Sequence, residues 1–335
     1  MPVTVRSFAK INLGLSIGPS RADGFHELRT VYQTIALHDI LRVSVKRGDG
    51  IEIVSNDERV PRDASNTCWK IVERAMAALK AHGRAVIEIE KRLPVQGGLG
   101  GASGNAVAAL IALEDAVKKR LTGPERLRIA AEVGSDLPLF LVGGTILGVG
   151  RGEEVYPLPD LPAMPCVIAT PEIGVSTPKA FADWDKLADE LRLAAQVATA
   201  SDKLTAAHPS DRINLFSRMI AAWLNGQSSG VPVSKGRGRA ETPLLDLVRT
   251  GIENDFERVV FPKYPELREV KSELEQAGAV YASLSGSGSA LYGLFGTRVA
   301  AEKAAARLRK RGTPAVATTT LTRRQYWSKF QVSSF

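Results

Sequence analysis

Five glycines crowd the eight residues Gly97-Gly98-Leu99-Gly100-Gly101-Ala102-Ser103-Gly104, which follow a strand-like run and open a helix-like one. Glycine lets the backbone approach an anion closely, and a helix N-terminus offers unpaired N–H donors and the positive end of a dipole. The chemistry this pattern suits is the cradling of phosphates. Neither familiar phosphate loop matches it. A Walker A loop needs GxxxxGK[ST], and the segment holds no lysine; a Rossmann loop needs GxGxxG, and counting from Gly98 and Gly100 the third position falls on Ser103. Ser103, at the mouth of the helix, is either its cap or a Mg²⁺ ligand through its hydroxyl. A tight turn without a ligand would leave the backbone entropy lost by so many glycines unexplained.

Transfer of a phosphoryl group to an alcohol needs a cation beside the moving group and a carboxylate to take the hydroxyl proton. Lys10 lies in Ser7-Phe8-Ala9-Lys10-Ile11-Asn12-Leu13, a largely apolar run in which a lysine is costly unless it is paired or used. Asp136 lies in Gly134-Ser135-Asp136-Leu137-Pro138, between a helix and another apolar run. Taken singly, each also fits a structural ion pair or a cap.

Hydrophobic periodicity supplies the elements that must hold these groups. Alternation predicts strands at 2–8, 12–17 and 28–36, with a loop at 18–27 containing Arg21-Ala-Asp-Gly-Phe25-His26-Glu-Leu28. Residues 41–46 and 51–54 read as a hairpin turning at Gly48-Asp49-Gly50. Helical spacing of Cys68, Ile71, Val72, Ala75, Met76 and Leu79 predicts a helix over 66–81. A strand at 85–91 leads into the glycine loop and a helix to about 119. A helix at 124–133 and strands at 144–149 and 165–170 follow. Residues 178–224 are mostly helical, and 225–243 form a Gly/Ser/Lys/Arg-rich excursion. Helices at 243–260 and 264–277, strands at 281–285 and 291–295 around Gly286-Ser-Gly-Ser289, a helix at 298–311 and a strand at 314–321 resemble a split βαβ, ferredoxin-like unit.

The chain has 335 residues, which at roughly 150 per domain suggests two domains. With 44% hydrophobic and 24% charged residues, collagen-like, disulfide-stapled and disordered classes are excluded. Cys68 and Cys166 make no disulfide framework and fit a reducing cytosol, so a cytoplasmic location is expected. The most apolar stretch, 137–149, is too short for a membrane span and is broken by Pro138, Gly143, Gly144 and Gly148. The N-terminal run alternates like a strand and lacks a signal-peptide core. The net charge of +8 suits either a polyanionic small molecule or RNA. The basic residues are dispersed and not interleaved with aromatics, which argues against an RNA platform.

Ala9-Lys10-Ile-Asn12-Leu, the Arg21–Leu28 block, the loop 97–105, Gly134–Pro138 and Ser285-Gly-Ser-Gly-Ser289 occur in the order and at the spacings of one family. The chain resembles the GHMP kinases over most of its length except about 185–245. The Arg21–Leu28 block is similar to the branch whose acceptor is a cytidine diphosphate-linked polyol of non-mevalonate isoprenoid synthesis. Homoserine- or mevalonate-type kinases are the nearest alternatives.

The resemblance implies an α+β, two-domain fold: a ribosomal-protein-S5-domain-2-like domain over 1–160, and a ferredoxin-like domain over 161–335 with an insertion at about 185–245. It implies ATP with Mg²⁺, a small-molecule acceptor, no nucleic-acid or membrane partner, and a monomer or homodimer. By position, Asp136 is the base and Lys10 the cation holding that carboxylate charged, with Asn12 positioning groups beside them. Pro94 and Gly97, Gly98, Leu99, Gly100, Gly101, Ala102, Ser103 and Gly104 wrap the ATP, with Asn66 near the adenosine. Phe25 and Phe181 would sandwich the cytosine, His26 would bond its edge, and Thr177 would line the acceptor site. No metal ligand is implied beyond the ATP phosphates and the candidate Ser103. Two positions depart from the family pattern: Gly104 stands where a second serine is usual, and Phe25 where a tyrosine is.

Overall fold

A computed structural model describes residues 2–95, 97–197, 209–224 and 252–332. The two strands expected before residue 18 form a single strand, β1 (Val3–Ser20), and the third merges with the run at 41–46 into β2 (His26–Lys46). They pair antiparallel from Val3↔Val43 to Ser20↔His26, with register shifts at Phe8/Ala9, Asn12/Gly14 and Ile17/Ser20. Those irregularities let one long ribbon bend without breaking, which alternation alone reads as separate strands.

The expected hairpin at Gly48–Gly50 does not form. β3 (Ile51–Ser55) pairs parallel with β4 (Arg84–Glu90), and β4 sits between β3 and β2. Period-2 alternation identifies a strand without naming its neighbour, and the short link from Lys46 to Ile51 is long enough to step over one strand width of about 4.8 Å. Gly83 lets β4 enter that gap: its φ is +130°, and a Cβ there would lie 2.6 Å from Val45. β5 (Thr145–Gly150) pairs with the first half of β2, and β6 (Glu154–Pro157), absent from the sequence reading, pairs with β5.

Helices α1 (Thr67–Ala78), α2 (Gly101–Val117) and α3 (Gly123–Val133) pack on this sheet. Ile71, Val72, Leu110, Leu113 and Ile129 share a core with Val5, Leu41, Val43, Ile87 and Ile89. A short helix, α4 (Leu139–Val142), follows Asp136.

The second domain has the expected ferredoxin-like arrangement. β7 (Pro165–Ala169), β8 (Tyr281–Leu284), β9 (Leu291–Leu294) and β10 (Ala315–Thr319) form an antiparallel sheet ordered β10-β7-β9-β8. Between them lie α5 (Thr177–Val197), α6 (Pro209–Leu224), α7 (Glu257–Lys263), α8 (Pro265–Gln276) and α9 (Arg298–Lys310). The excursion at 225–243 and the start of the helix expected at 243–260 lie outside the described residues. Cys166, Ile168, Tyr292 and Leu294 of this sheet pack against Ala9, Ile11, Leu13, Val31 and Ile35. β1 is therefore covered on both faces, and every residue from Ser7 to Gly18 is buried, which accounts for its near-continuous apolar character. Among the described residues no helix is long and apolar enough to cross a membrane.

The last helix, α10 (Arg323–Phe330), was not anticipated, although Thr322 and Gln325 form a capping box. It returns to the first domain: Tyr326 and Phe330 join the core with Phe8 and Phe140, and the Tyr326 hydroxyl donates to the Phe140 carbonyl at 2.8 Å. Phe330→Ala is expected to cost about 3–5 kcal/mol in urea unfolding despite its place five residues from the chain's end. A loss below about 1 kcal/mol would mean α10 is not part of that core.

Candidate active site

Lys10 lies in mid-β1, 3% exposed. Its Nζ donates to Oδ1 of Asn12 at 2.7 Å and lies 3.7 Å from Oδ2 of Asp136. Lys10 and Asn12 share a strand face because side chains alternate with period two. The Asn12 amide nitrogen donates to Thr30 Oγ1 at 2.8 Å, and that hydroxyl donates to the Gly14 carbonyl at 2.8 Å. Burial lowers the pKa of Lys10, and the Asp136 carboxylate partly offsets this. Asp136 sits in the turn between α3 and α4, with 38% of its side chain exposed, so it faces an open space as well as the ammonium. Its other oxygen, Oδ1, accepts a hydrogen bond from Tyr32 at 3.0 Å.

The glycine loop is pinned from two sides. Lys10 N donates to the Leu99 carbonyl at 3.0 Å, Ala290 N to the Gly97 carbonyl at 3.2 Å, and Ser285 Oγ to the Gly98 carbonyl at 3.0 Å. Gly98 has φ +74°, and a Cβ there would fall 2.1 Å from the Ser285 carbonyl oxygen. Gly100 has φ +69°; its Cβ would lie 2.9 Å from the Phe140 ring and 3.0 Å from Lys10 Cγ. These two glycines are demanded by close approach and by left-handed backbone at once. Gly100 is the N-cap of α2 and has no side-chain cap. Ser103 is therefore the third helical residue and not the cap, so its half-buried hydroxyl is spared that role.

A cleft of about 380 Å³ opens above the loop, lined by Asn66, Pro94, Gly97–Ser103, Lys91 and Asn105. Asn66 caps α1, accepting from Cys68 N at 2.8 Å and donating to the Pro61 carbonyl at 2.6 Å. It forms wall and cap together. Cys68 also lines the cleft, and burial pushes its thiol up to about 12. Gly104 lies below the loop, where a Cβ would come 2.9 Å from the Phe8 carbonyl oxygen and 3.0 Å from Ser7 Oγ. Ser7 Oγ itself is buried and has no hydrogen-bond partner among the described residues.

The residues expected on the acceptor side separate into two groups. The His26 ring stacks on Phe181 (centroids 4.9 Å apart, planes at 13°), and Phe181 meets Phe256 edge-on at 4.9 Å. His26 Nε2 lies 2.7 Å from Asp185 Oδ1 and 3.3 Å from Ser20 Oγ. Phe25 stands apart, 49% exposed, with the Arg151 guanidinium 4.9 Å above its ring. Thr177 Oγ1 lies 2.7 Å from Ser287 Oγ in the Ser285–Ser289 turn.

Three groups escaped the sequence reading. Tyr32 supports Asp136, and Asp185 supports His26. Asp39 is fully buried and accepts from Lys91 Nζ, Arg92 N and Leu93 N, each at 2.7 Å, and from Asn105 Nδ2 at 2.9 Å. This carboxylate ties the approach to the glycine loop to the first turns of α2. A lone aspartate in the apolar run Ile35–Leu41 was the available signal for it. Gly286, in the turn already marked by its sequence, brings Ser285–Ser289 to Lys10, since a Cβ there would lie 3.5 Å from Lys10 Nζ.

Family models described as "GHMP kinases N terminal domain" and "GHMP kinases C terminal" match residues 66–144 and 241–313. The 4-diphosphocytidyl-2-C-methyl-D-erythritol kinase of Solibacter usitatus is 37% identical over 294 residues, 88% of this chain and 81% of the relative. The chain belongs to the 4-diphosphocytidyl-2-C-methyl-D-erythritol kinase family of GHMP kinases. The same kinase from Synechococcus elongatus is 34% identical, covering 92% of this chain and 91% of its own. A crystal structure of a 4-(cytidine 5'-diphospho)-2C-methyl-D-erythritol kinase superposes with a TM-score of 0.67 at 28% identity, covering 95% and 98% of the two chains. A homoserine kinase from Cytophaga hutchinsonii reaches 0.66 at 19% identity over 96% and 95%, so the backbone is common to several GHMP kinases.

Gly98→Ala is expected to raise KM for ATP tenfold or more, because the loop must leave the Ser285 carbonyl to admit the methyl group. An unchanged KM would show that the loop does not depend on that contact. Cys68 and Cys166, both buried, are expected to resist Ellman's reagent at pH 8 until urea is added, since burial holds both thiols protonated.

Proposed function

We propose that this chain phosphorylates the 2-hydroxyl of 4-diphosphocytidyl-2-C-methyl-D-erythritol with ATP, yielding the 2-phosphate and ADP, a step of isoprenoid precursor synthesis. Membership of an ATP-dependent kinase family supplies the donor, and the curated relatives carry that acceptor in their name. The observation that carries the catalytic reading is the meeting of Lys10 Nζ and Asp136 Oδ2 at 3.7 Å beside the glycine loop.

In this reading the triphosphate lies along Gly97–Ser103, where the unpaired N–H groups at the start of α2 face its negative charge. The acceptor hydroxyl approaches Asp136 from the exposed side. Asp136 takes its proton as the oxygen attacks the γ-phosphorus, and the bond to the ADP oxygen breaks. Lys10 keeps the carboxylate ionised beforehand and offsets the charge gathering on the phosphoryl oxygens. Mg²⁺, when bound, neutralises the phosphate charge. Hard oxygen donors suit it, and the Ser103 hydroxyl, free of capping, would hold it together with the ATP oxygens. His26, oriented by Asp185, and the rings of Phe25 and Phe181 would recognise the cytosine, where stacking on an aromatic face contributes about 1–3 kcal/mol. Thr177 would hold the acceptor side against the Ser285–Ser289 turn.

A coupled ADP-release assay with the cytidine diphosphate-linked polyol, homoserine and mevalonate tests the reading. Turnover only with the first is expected, and preference for either of the others would overturn the acceptor assignment. Asp136→Asn and Lys10→Ala should each lower kcat by roughly 10² or more; near-normal turnover in both would refute the assigned roles. Because burial lowers the Lys10 pKa, kcat/KM should fall on the alkaline side at a pH below the ordinary lysine value.

A further inference from the structure

Tyr32 lies on β2, 2% exposed, and its phenol donates to Oδ1 of Asp136 at 3.0 Å. The Lys10 ammonium lies 5.7 Å from the centre of the same ring. Because Lys10 faces Oδ2 of Asp136, the two carboxylate oxygens have different partners. Two glycines clear the space for this phenol. A Cβ at Gly148 would come 2.5 Å from the Tyr32 ring, and one at Gly152 would come 2.5 Å from its hydroxyl and 3.7 Å from Asp136 Oδ1. Burial, with Asp136 and Glu153 nearby, pushes the Tyr32 pKa well up, so the phenol keeps its proton and remains a donor.

We propose that Tyr32 is a positioning residue for phosphoryl transfer, holding the Asp136 carboxylate oriented so that it meets the acceptor hydroxyl. The inference rests on the reading of Asp136 as the base. A carboxylate joined to the chain through two rotatable bonds, Cα–Cβ and Cβ–Cγ, and open to solvent on one side can turn away from its substrate. A phenol donating to one oxygen stops that rotation. The titratable and charged groups around this contact are Lys10 on β1, Tyr32 on β2 and Glu153 in the turn between β5 and β6.

Tyr32→Phe keeps the ring in its seat and removes only the donor. It is expected to lower kcat roughly tenfold while KM for ATP and for the acceptor stays within about twofold. A packing defect would instead raise KM while lowering kcat, so the split between the two separates positioning from packing. Tyr156→Phe, at a 52% exposed ring on β6, should leave both unchanged. Site-specific 4-fluorophenylalanine at position 32, which fills the place of the hydroxyl without donating, should show the same loss of kcat, and this holds the test open if Tyr32→Phe is poorly stable. A kcat within about twofold of wild type in the variants that fold would overturn the role of Tyr32. Failure of the wild-type protein to phosphorylate the cytidine diphosphate-linked polyol would instead overturn the functional reading beneath it.

Discussion

An ammonium on a strand covered on both faces is stable only if its surroundings replace the water it has lost. Lys10 is such a group, and three distant parts of the chain meet around it. Asn12 supplies a carbonyl oxygen two residues away, and Asp136 supplies a charge from the turn after α3. Gly100 and Gly286 are small enough to let the glycine loop and the Ser285–Ser289 turn close over its side chain. The same contacts that satisfy the buried charge bring the carboxylate, the loop and the second domain to one point. Packing constraint and catalytic geometry are here one arrangement.

The glycine loop is held in place for identifiable reasons. Backbone hydrogen bonds tie it to β1 and to the strand pair β8–β9, and Asp39 gathers four donors from the segment entering the loop and from α2. A loop held this firmly has its dipoles fixed in advance, which is the condition for electrostatic stabilisation without reorganisation. The aromatic cluster is built on other terms. His26 and Phe181 stack together and Asp185 anchors the imidazole, while Phe25 remains exposed under Arg151. Phe25 and His26 come from the turn after β1 and the start of β2, and Phe181 and Asp185 from α5, so both domains contribute to it.

Chain topology also ties the domains together. The sheet of the second domain covers one face of β1, and α10 crosses back to pack Tyr326 and Phe330 beside Phe8 and Phe140. The Phe140 ring in turn borders Gly100 at the start of α2. α10 thus packs behind the start of α2 and belongs to the core of the first domain's sheet.

Residue type and spacing were enough to find the glycine loop, Lys10, Asp136 and most elements, because periodicity and unusual residues in apolar runs are local signals. They sufficed too for the ferredoxin-like unit, whose strand and helix order is written along the chain. Strand partnership was not local: β3 and β2 looked like a hairpin until β4 entered between them. Nor could spacing tell that Ser103 lies inside α2, since the cap depends on the left-handed backbone of Gly100. Tyr32, Asp39 and Asp185 carried no pattern of their own. An isolated polar side chain acquires a role only from the group it meets, and those meetings are made by packing segments far apart in the chain.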